Sequence, residues 1–143
     1  MKIAFLIGQL SQGGSEKQVY LISRAMKELN VDVNVMTFSR DGIWYDRLIQ
    51  AGIEVIHIPR EQSFSISRIC KLRKTLIIHR ISVLYCFGSA EAFYGRLACM
   101  RLPTKAVVCL RNENWGGVPG IIVDKILQYF TQYYIANSHA GVD

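Results

Sequence analysis

The sequence predicts an α/β fold in which a doubly wound parallel sheet of about six strands carries helices on both faces. Short β-branched runs alternate with longer segments whose apolar residues recur at helical spacing, which is the pattern of repeated βαβ units. The first and fifth runs are continuously apolar, as expected for strands that are covered on both sides. Half of the 143 residues are apolar and a fifth are charged, the balance of a globular domain.

Six apolar runs bounded by polar or glycine residues predict the strands. They are residues 2–7, 31–38, 53–58, 82–87, 106–110 and 133–136. The right-handed crossovers that join parallel strands, applied to two βαβαβ halves, predict the Rossmann-like strand order 3-2-1-4-5-6. The sequence contains no repeat and no linker, so residues 1–143 are predicted to form a single domain.

The segments between these runs predict five helices. In the first, Ser15 and Gln18 have the spacing of a capping box, and apolar residues continue at helical spacing to residue 30. The second ends before Gly52, a residue type that favours the left-handed turn after a helix. The predicted helices are residues 15–30, 44–51, 66–80, 91–100 and 121–131.

The distribution of cysteine, histidine and apolar residues excludes several classes of protein. The four cysteines form no Cys-x-x-Cys pair and have no histidine at metal-ligand spacing, so no metal is expected. They lie among apolar residues, which predicts buried free thiols in a reducing compartment. No apolar run reaches the length of a signal-peptide core or of a membrane span. The sequence therefore predicts a cytoplasmic protein.

The net charge of +6 comes mainly from one segment. Residues 63–90 contain five Lys and Arg residues and no Asp or Glu, and most of these cations lie on the predicted helix 66–80. Because this basic run lacks interleaved aromatic residues and a groove-reading module, we expect no nucleic-acid partner.

A ligand crevice is predicted where the strand order reverses, between the first and fourth strands. There Gly13, Gly14 and Ser15 follow the first strand and open a helix, where free backbone N–H groups favour a phosphate. Gly14 stands where a P-loop needs its lysine, and Gly8 lies too far from Gly13 for a Gly-x-Gly-x-x-Gly motif. A tight turn without a ligand is the alternative explanation of these glycines.

Four segments resemble the N-terminal domain of glycosyltransferase family 4, whose members have the GT-B fold. They are residues 13–18 (GGSEKQ) at the first helix, residues 48–58 at the third strand, residues 94–98 (YGRLA) and residues 134–138 (YIANS). Their order and spacing extend the resemblance over the whole chain.

The resemblance implies a retaining, metal-independent transfer of a sugar from a nucleotide-diphosphate sugar to a glycan or lipid-linked acceptor. Such reactions build cell-surface polysaccharides and related glycoconjugates. The family's N-terminal domain mostly holds the acceptor, whereas a second domain holds the nucleotide and carries a Glu-x7-Glu donor motif. That second domain has no counterpart here, so we expect a truncated chain that is inactive alone. The resemblance also implies that the enzyme needs no cofactor besides its sugar donor.

The resemblance also implies roles for residues in the predicted crevice. The backbone amides of Gly13 and Gly14 would stabilise the charge on the leaving phosphate. Arg111 is the catalytic candidate: it stands where many relatives carry a His, and its guanidinium could clamp a phosphate or else form an exposed ion pair. The other predicted substrate-binding residues are Ser15, Glu16, Gly88, Ser89, Asn112 and Ser138. For Glu16 and Ser138, stabilisation of a helix terminus is the alternative role.

Family 4 acceptors are often lipid-linked, so the basic helix has two explanations. Arg68, Lys71 and Lys74 either form a solvated outer face or contact an anionic membrane surface at the inner leaflet. Two other functions also remain open for the chain as a whole. One is a nucleotide-binding domain, although Phe38, Ser39 and Arg40 supply no acid after the second strand. The other is a binding module without catalytic activity.

Overall fold

The computed structural model describes residues 1–59, 65–110, 125–126, 128–130 and 133–136. The strands are β1 (Lys2–Ile7), β2 (Asp32–Thr37), β3 (Glu54–His57), β4 (Val83–Phe87), β5 (Lys105–Leu110) and β6 (Tyr133–Ala136). The helices are α1 (Gly14–Glu28), α2 (Ile43–Gln50), α3 (Ile66–Ile78) and α4 (Ser89–Cys99), followed by a single 3-10 turn at Gln128–Phe130.

All six strands lie in one parallel sheet with the order β3-β2-β1-β4-β5-β6, so the predicted fold class and strand order are confirmed. The register brings three strand ends level, because Ile7 pairs with both Thr37 and Phe87. The residues that follow β1, β2 and β4 therefore begin at the same edge of the sheet. This is the edge at which parallel α/β proteins bind ligands.

The hydrophobic core lies on both faces of the sheet, as the alternation of side chains along β1 requires. Ala4 and Leu6 face one side, where they pack with residues of α3 and α4 such as Leu72 and Ala98. Ile3, Phe5 and Ile7 face the other side, where they pack with residues of α1 and α2. The sheet is thus doubly wound, with two helices on each face.

Both ends of α1 differ from prediction. Gly13, in an extended conformation, is the N-cap, and its carbonyl accepts a hydrogen bond from Lys17 N–H at 3.1 Å. Ser15 lies in the first turn, so the predicted capping box with Ser15 as the cap is wrong. The helix ends at Glu28, and Leu29 is exposed. The helix thus starts one residue earlier than predicted, with Gly13 extended before it and Gly14 as its first residue.

The other boundaries lie within two residues of prediction. Gly52 has φ +68°, which confirms it as the left-handed residue that closes α2. Of the helix predicted at residues 121–131, the structure describes only Lys125, Ile126 and residues 128–130. None of the helices in the described part of the chain has the length and apolarity needed to cross a membrane.

Candidate functional site

A cleft of about 680 Å³ opens at the carboxyl edge of the sheet, between the ends of β1 and β4, where the strand order reverses. It therefore lies where the sequence predicts a ligand crevice. Its walls are formed by the segments after β1, β2 and β4 and by the starts of three helices. The lining residues are Ile7, Gly8, Gln9, Ser15, Glu16, Phe38, Ser39, Arg68, Phe87, Ala90, Glu91 and Tyr94.

The carboxyl group of Glu91 is wedged between the ends of β1 and β4. Glu91 lies in the first turn of α4, is only 8% exposed, and accepts hydrogen bonds from the backbone N–H groups of Gly8 and of Glu91 itself. A Cβ atom at either Gly8 or Gly88 would collide with this carboxylate. Gly88 also has φ +128°, a conformation that side chains disfavour. The two glycines thus create the space that Glu91 fills.

The buried position of Glu91 changes its acidity. Loss of solvation raises the pKa of its carboxyl group above the ordinary value, and the negative charge of Glu16 adds to this rise. The two backbone hydrogen bonds and the positive charge of Arg68 oppose the rise without cancelling it. Glu91 consequently holds a proton to higher pH than an exposed glutamate does, at the floor of a cleft that contains a second acid.

Arg68 projects from the first turn of α3 into the same cleft and is only 3% exposed. Its guanidinium carbon lies 4.4 Å from the ring centre of Phe38 and 4.8 Å from that of Tyr94. Its Nε–H donates to the carbonyl oxygen of Pro59 at 3.4 Å, and its Nη2 atom is buried with no hydrogen-bond partner among the residues that the structure describes. The prediction that Arg68 belongs to an outer, membrane-facing surface is therefore wrong, because α4 and the end of β2 cover it. Lys71 and Lys74 are exposed.

Tyr94 fixes the start of α3, from which Arg68 projects. Its hydroxyl oxygen accepts a hydrogen bond from Ser65 N–H at 3.2 Å, and Ser65 Oγ in turn accepts one from Arg68 N–H at 3.3 Å. The rings of Phe38 and Tyr94 meet edge to face at 5.7 Å. The Arg68 side chain is thus held by one helix cap and two aromatic rings.

The comparison with known protein families identifies the chain. The model of the family described as Glycosyltransferase Family 4 matches residues 12–142. The chain belongs to glycosyltransferase family 4. None of the curated proteins compared with it matches in sequence.

Solved structures of glycosyltransferases share the fold of this family 4 chain. HepE of Anabaena, in complex with UDP and glucose, is 22% identical with a TM-score of 0.79 over 99% of the chain. A glycosyltransferase of Rickettsia africae is 15% identical with a TM-score of 0.73 over 96%, and MurG of Acinetobacter baumannii is 13% identical with a TM-score of 0.67 over 95%. The chain spans 39%, 36% and 41% of these three proteins, respectively. The sheet is accordingly the Rossmann-like sheet of GT-B glycosyltransferases.

The predicted site residues of this family 4 chain fall into three groups. Ser15 and Glu16 line the cleft. Three residues are each adjacent in the chain to a lining residue: Gly14, Gly88 and Ser89. Gly13 lies against the carboxyl group of the lining residue Glu16. Arg111, Asn112 and Ser138 lie outside the described residues. The ligand-binding roles of all these residues stay predictions.

Sequence reasoning left Phe38, Ser39 and Tyr94 out of the site and placed Arg68 elsewhere. Signals for two of them were present in the sequence. Phe38 follows the second strand, which ends at the ligand edge, and Tyr94 is three residues after Glu91 and so shares its helix face.

In the part of the chain that the structure describes, no group of three or more His, Cys, Asp or Glu residues is placed to hold a metal ion.

Proposed function

We propose that this family 4 chain forms the acceptor-side half of a retaining glycosyltransferase. The enzyme would transfer a sugar from a nucleotide-diphosphate sugar to a glycan or lipid-linked acceptor, in the synthesis of a cell-surface glycoconjugate. The observation that carries this proposal is the cleft at the reversal of strand order, together with the family match over residues 12–142. The HepE structure with UDP-glucose supports a nucleotide-sugar donor.

In this reaction the bond between the sugar C1 and the diphosphate oxygen breaks, and C1 forms a bond to an acceptor hydroxyl oxygen that loses its proton. Negative charge develops on the departing diphosphate. Backbone N–H groups at the start of α1, beside Gly13 and Gly14, would stabilise that charge, because the positive end of a helix dipole favours anions. Arg111 would add a cation at the end of β5.

The chain alone is expected to be inactive. It spans about two fifths of HepE and of MurG, and in our proposal the remainder of the enzyme supplies the nucleotide-binding half of the cleft. A donor sugar held from one side only would lack the alignment that transfer requires. The expectation fails if the 143-residue chain by itself transfers sugar.

The function is tested by sugar transfer with a full-length protein that carries this chain, starting with UDP-glucose as donor. Gly13→Val should lower kcat/KM by about tenfold or more, because its side chain would keep the diphosphate away from the backbone N–H groups at the start of α1. Arg111→Ala should lower kcat/KM by a similar factor, because it removes a positive charge that would stabilise the departing diphosphate. The matched control is Arg24→Ala, because Arg24 pairs with Glu28 on the exposed side of α1. Near-normal kcat/KM in both site variants would remove these residues from the site. Absence of transfer by the wild type with every nucleotide sugar would refute the proposed reaction.

A further inference from the structure

The most unusual charge in the cleft is the Arg68 guanidinium. A guanidinium remains protonated at all ordinary pH values, and a buried one normally pairs with a carboxylate. Among the residues that the structure describes, no carboxylate forms an ion pair with Arg68. Its described polar contact is a single carbonyl oxygen, that of Pro59, and Nη2 has no hydrogen-bond partner within the described part of the chain. Among the described residues, Arg68 is therefore a buried positive charge whose hydrogen-bonding capacity is not filled.

The position of Arg68 is fixed in a way that suits a ligand. The rings of Phe38 and Tyr94 lie against the guanidinium, and the Ser65 cap anchors its helix turn. Such packing limits the rotamers of a long side chain before any ligand arrives, which lowers the entropic cost of binding. A planar, fixed guanidinium matches the two oxygens of a phosphate or a carboxylate.

The acids of the cleft do not neutralise this cation. Glu91 is the carboxyl group whose charge interacts with Arg68, but its oxygens accept hydrogen bonds from the backbone of Gly8 and Glu91. Glu16 is half-buried in the first turn of α1 and lines the cleft as well. These two carboxyl groups disfavour a simple anion but can accept hydrogen bonds from hydroxyl groups. The lining thus combines one guanidinium group with two carboxyl groups.

We propose that the cleft takes a sugar bearing an oxyanion, either a phosphate or a carboxylate, with the oxyanion on Arg68 and sugar hydroxyls on Glu16 and Glu91. Assigning this anionic sugar to the acceptor rests on the proposed function, whereas its binding by Arg68 does not. The diphosphate of a nucleotide-sugar donor has the same oxyanion chemistry and is the other source of such a group.

The test is calorimetric titration of the protein with glucose 6-phosphate, glucuronate, glucose and UDP. Arg68→Gln should weaken binding of at least one anionic sugar by about tenfold or more, the cost of losing a hydrogen-bonded charge, and leave glucose unchanged. Arg68→Lys keeps the charge without the planar fork and should give an intermediate affinity. Arg24→Gln makes the same change on the exposed side of α1 and should have no effect. Circular dichroism of each variant confirms that it is folded.

The ligand series identifies the source of the oxyanion. Loss confined to glucose 6-phosphate assigns a phosphate, and loss confined to glucuronate assigns a carboxylate. An equal loss of UDP binding, with glucose 6-phosphate and UDP competing, assigns the donor diphosphate to Arg68. The proposal is overturned if the wild type binds neither anionic sugar or binds them no better than glucose. It is also overturned if Arg68→Gln binds both anionic sugars as tightly as the wild type does. Because no outcome requires turnover, anion binding by Arg68 persists even if the transfer assay fails.

Discussion

At the scale of single residues, Glu91 determines the shape and the charge of the cleft floor. Its carboxyl group fills the gap between β1 and β4 that Gly8 and Gly88 leave open, and the same burial raises its pKa. The sequence predicts that Glu91 lies near the crevice, because it opens the helix after the fourth strand. It does not predict how deeply the side chain is buried, since this depends on two glycines 80 residues apart in the chain.

The raised pKa of Glu91 predicts a specific pH dependence of stability. The folded state keeps the proton at pH values where the unfolded state has released it, so the stability from this group is present at low pH. It is lost as the pH rises from the ordinary glutamate pKa through the raised pKa, by about 1.4 kcal/mol for each unit of elevation. Glu91→Gln should lack this loss. Its free energy of unfolding should therefore increase relative to that of the wild type as the pH rises between the two pKa values. Urea unfolding between pH 4 and 8 (roughly the range that brackets a raised carboxyl pKa) measures it.

The control for this prediction is Gln50→Ala, which changes an exposed side chain without a titratable group at the end of α2. Its pH profile of unfolding free energy should follow the wild type apart from a constant offset. Parallel profiles for the wild type and Glu91→Gln would contradict the argument, because they would mean that Glu91 releases its proton equally in the folded and unfolded states.

At the scale of secondary-structure elements, α3 divides its charges between two environments. Arg68 is buried with Leu72 and Leu76 at intervals of four residues, which places all three on one helix face. Lys71 and Lys74 lie on the exposed part of the helix, near the exposed residues Ile66, Ile77 and Ile78. The i, i+4, i+8 spacing was readable in the sequence. The prediction of a basic surface was wrong for Arg68, because Arg68 shares the buried helix face of Leu72 and Leu76.

The lysines Lys71 and Lys74 of α3 are accessible to an anionic membrane surface, which is one of the two explanations for this basic helix. We expect the protein to bind anionic vesicles in a salt-sensitive way, and Lys71→Gln/Lys74→Gln to weaken that binding by roughly fivefold for each lysine removed. Co-sedimentation with vesicles of increasing phosphatidylserine content measures this effect. Arg24→Gln removes a positive charge on another helix and should leave binding near the wild-type value. Unchanged binding of the double variant would rule out this helix as the contact.

At the scale of the whole molecule, the strand order and the place of the cleft were predictable. Six apolar runs separated by helical segments permit few right-handed parallel topologies, and the reversal of strand order fixes where a crevice forms. The lining of the cleft was less predictable, because Phe38, Arg68 and Tyr94 meet only when β2, α3 and α4 are packed together. The sequence indicates the sheet edge or helix face of each of these residues, but it does not indicate that the three side chains make contact.

The distribution of cysteines over the fold also corrects the sequence prediction. Cys86, Cys99 and Cys109 are buried as expected, whereas Cys70 is exposed on α3. Burial raises the pKa of the Cys86 thiol well above its ordinary value and that of Cys99 to about 12. The thiolate is the reactive form, so the raised pKa values of these two core thiols and their lack of solvent access both protect them from reaction.

We therefore expect one thiol of the native protein to react rapidly with an aromatic disulfide reagent, and all four to react after denaturation. The absorbance of the released thiolate measures both phases. Cys70→Ser should abolish the rapid phase of the native protein and leave three thiols that react after denaturation. A rapid phase that persists in Cys70→Ser would show that a core thiol is accessible, contrary to the packing described above.

The wedge formed by Glu91 has a consequence for how such a cleft can diversify. The floor between β1 and β4 is made by a side chain, while the backbone ladder that pairs Ile3 to Ile7 with Val83 to Phe87 lies beneath it. A single substitution at position 91 could deepen the floor or remove its charge without disturbing that ladder. The lining of the cleft and the architecture of the sheet are therefore encoded separately at this point, so the lining can change while the fold stays the same.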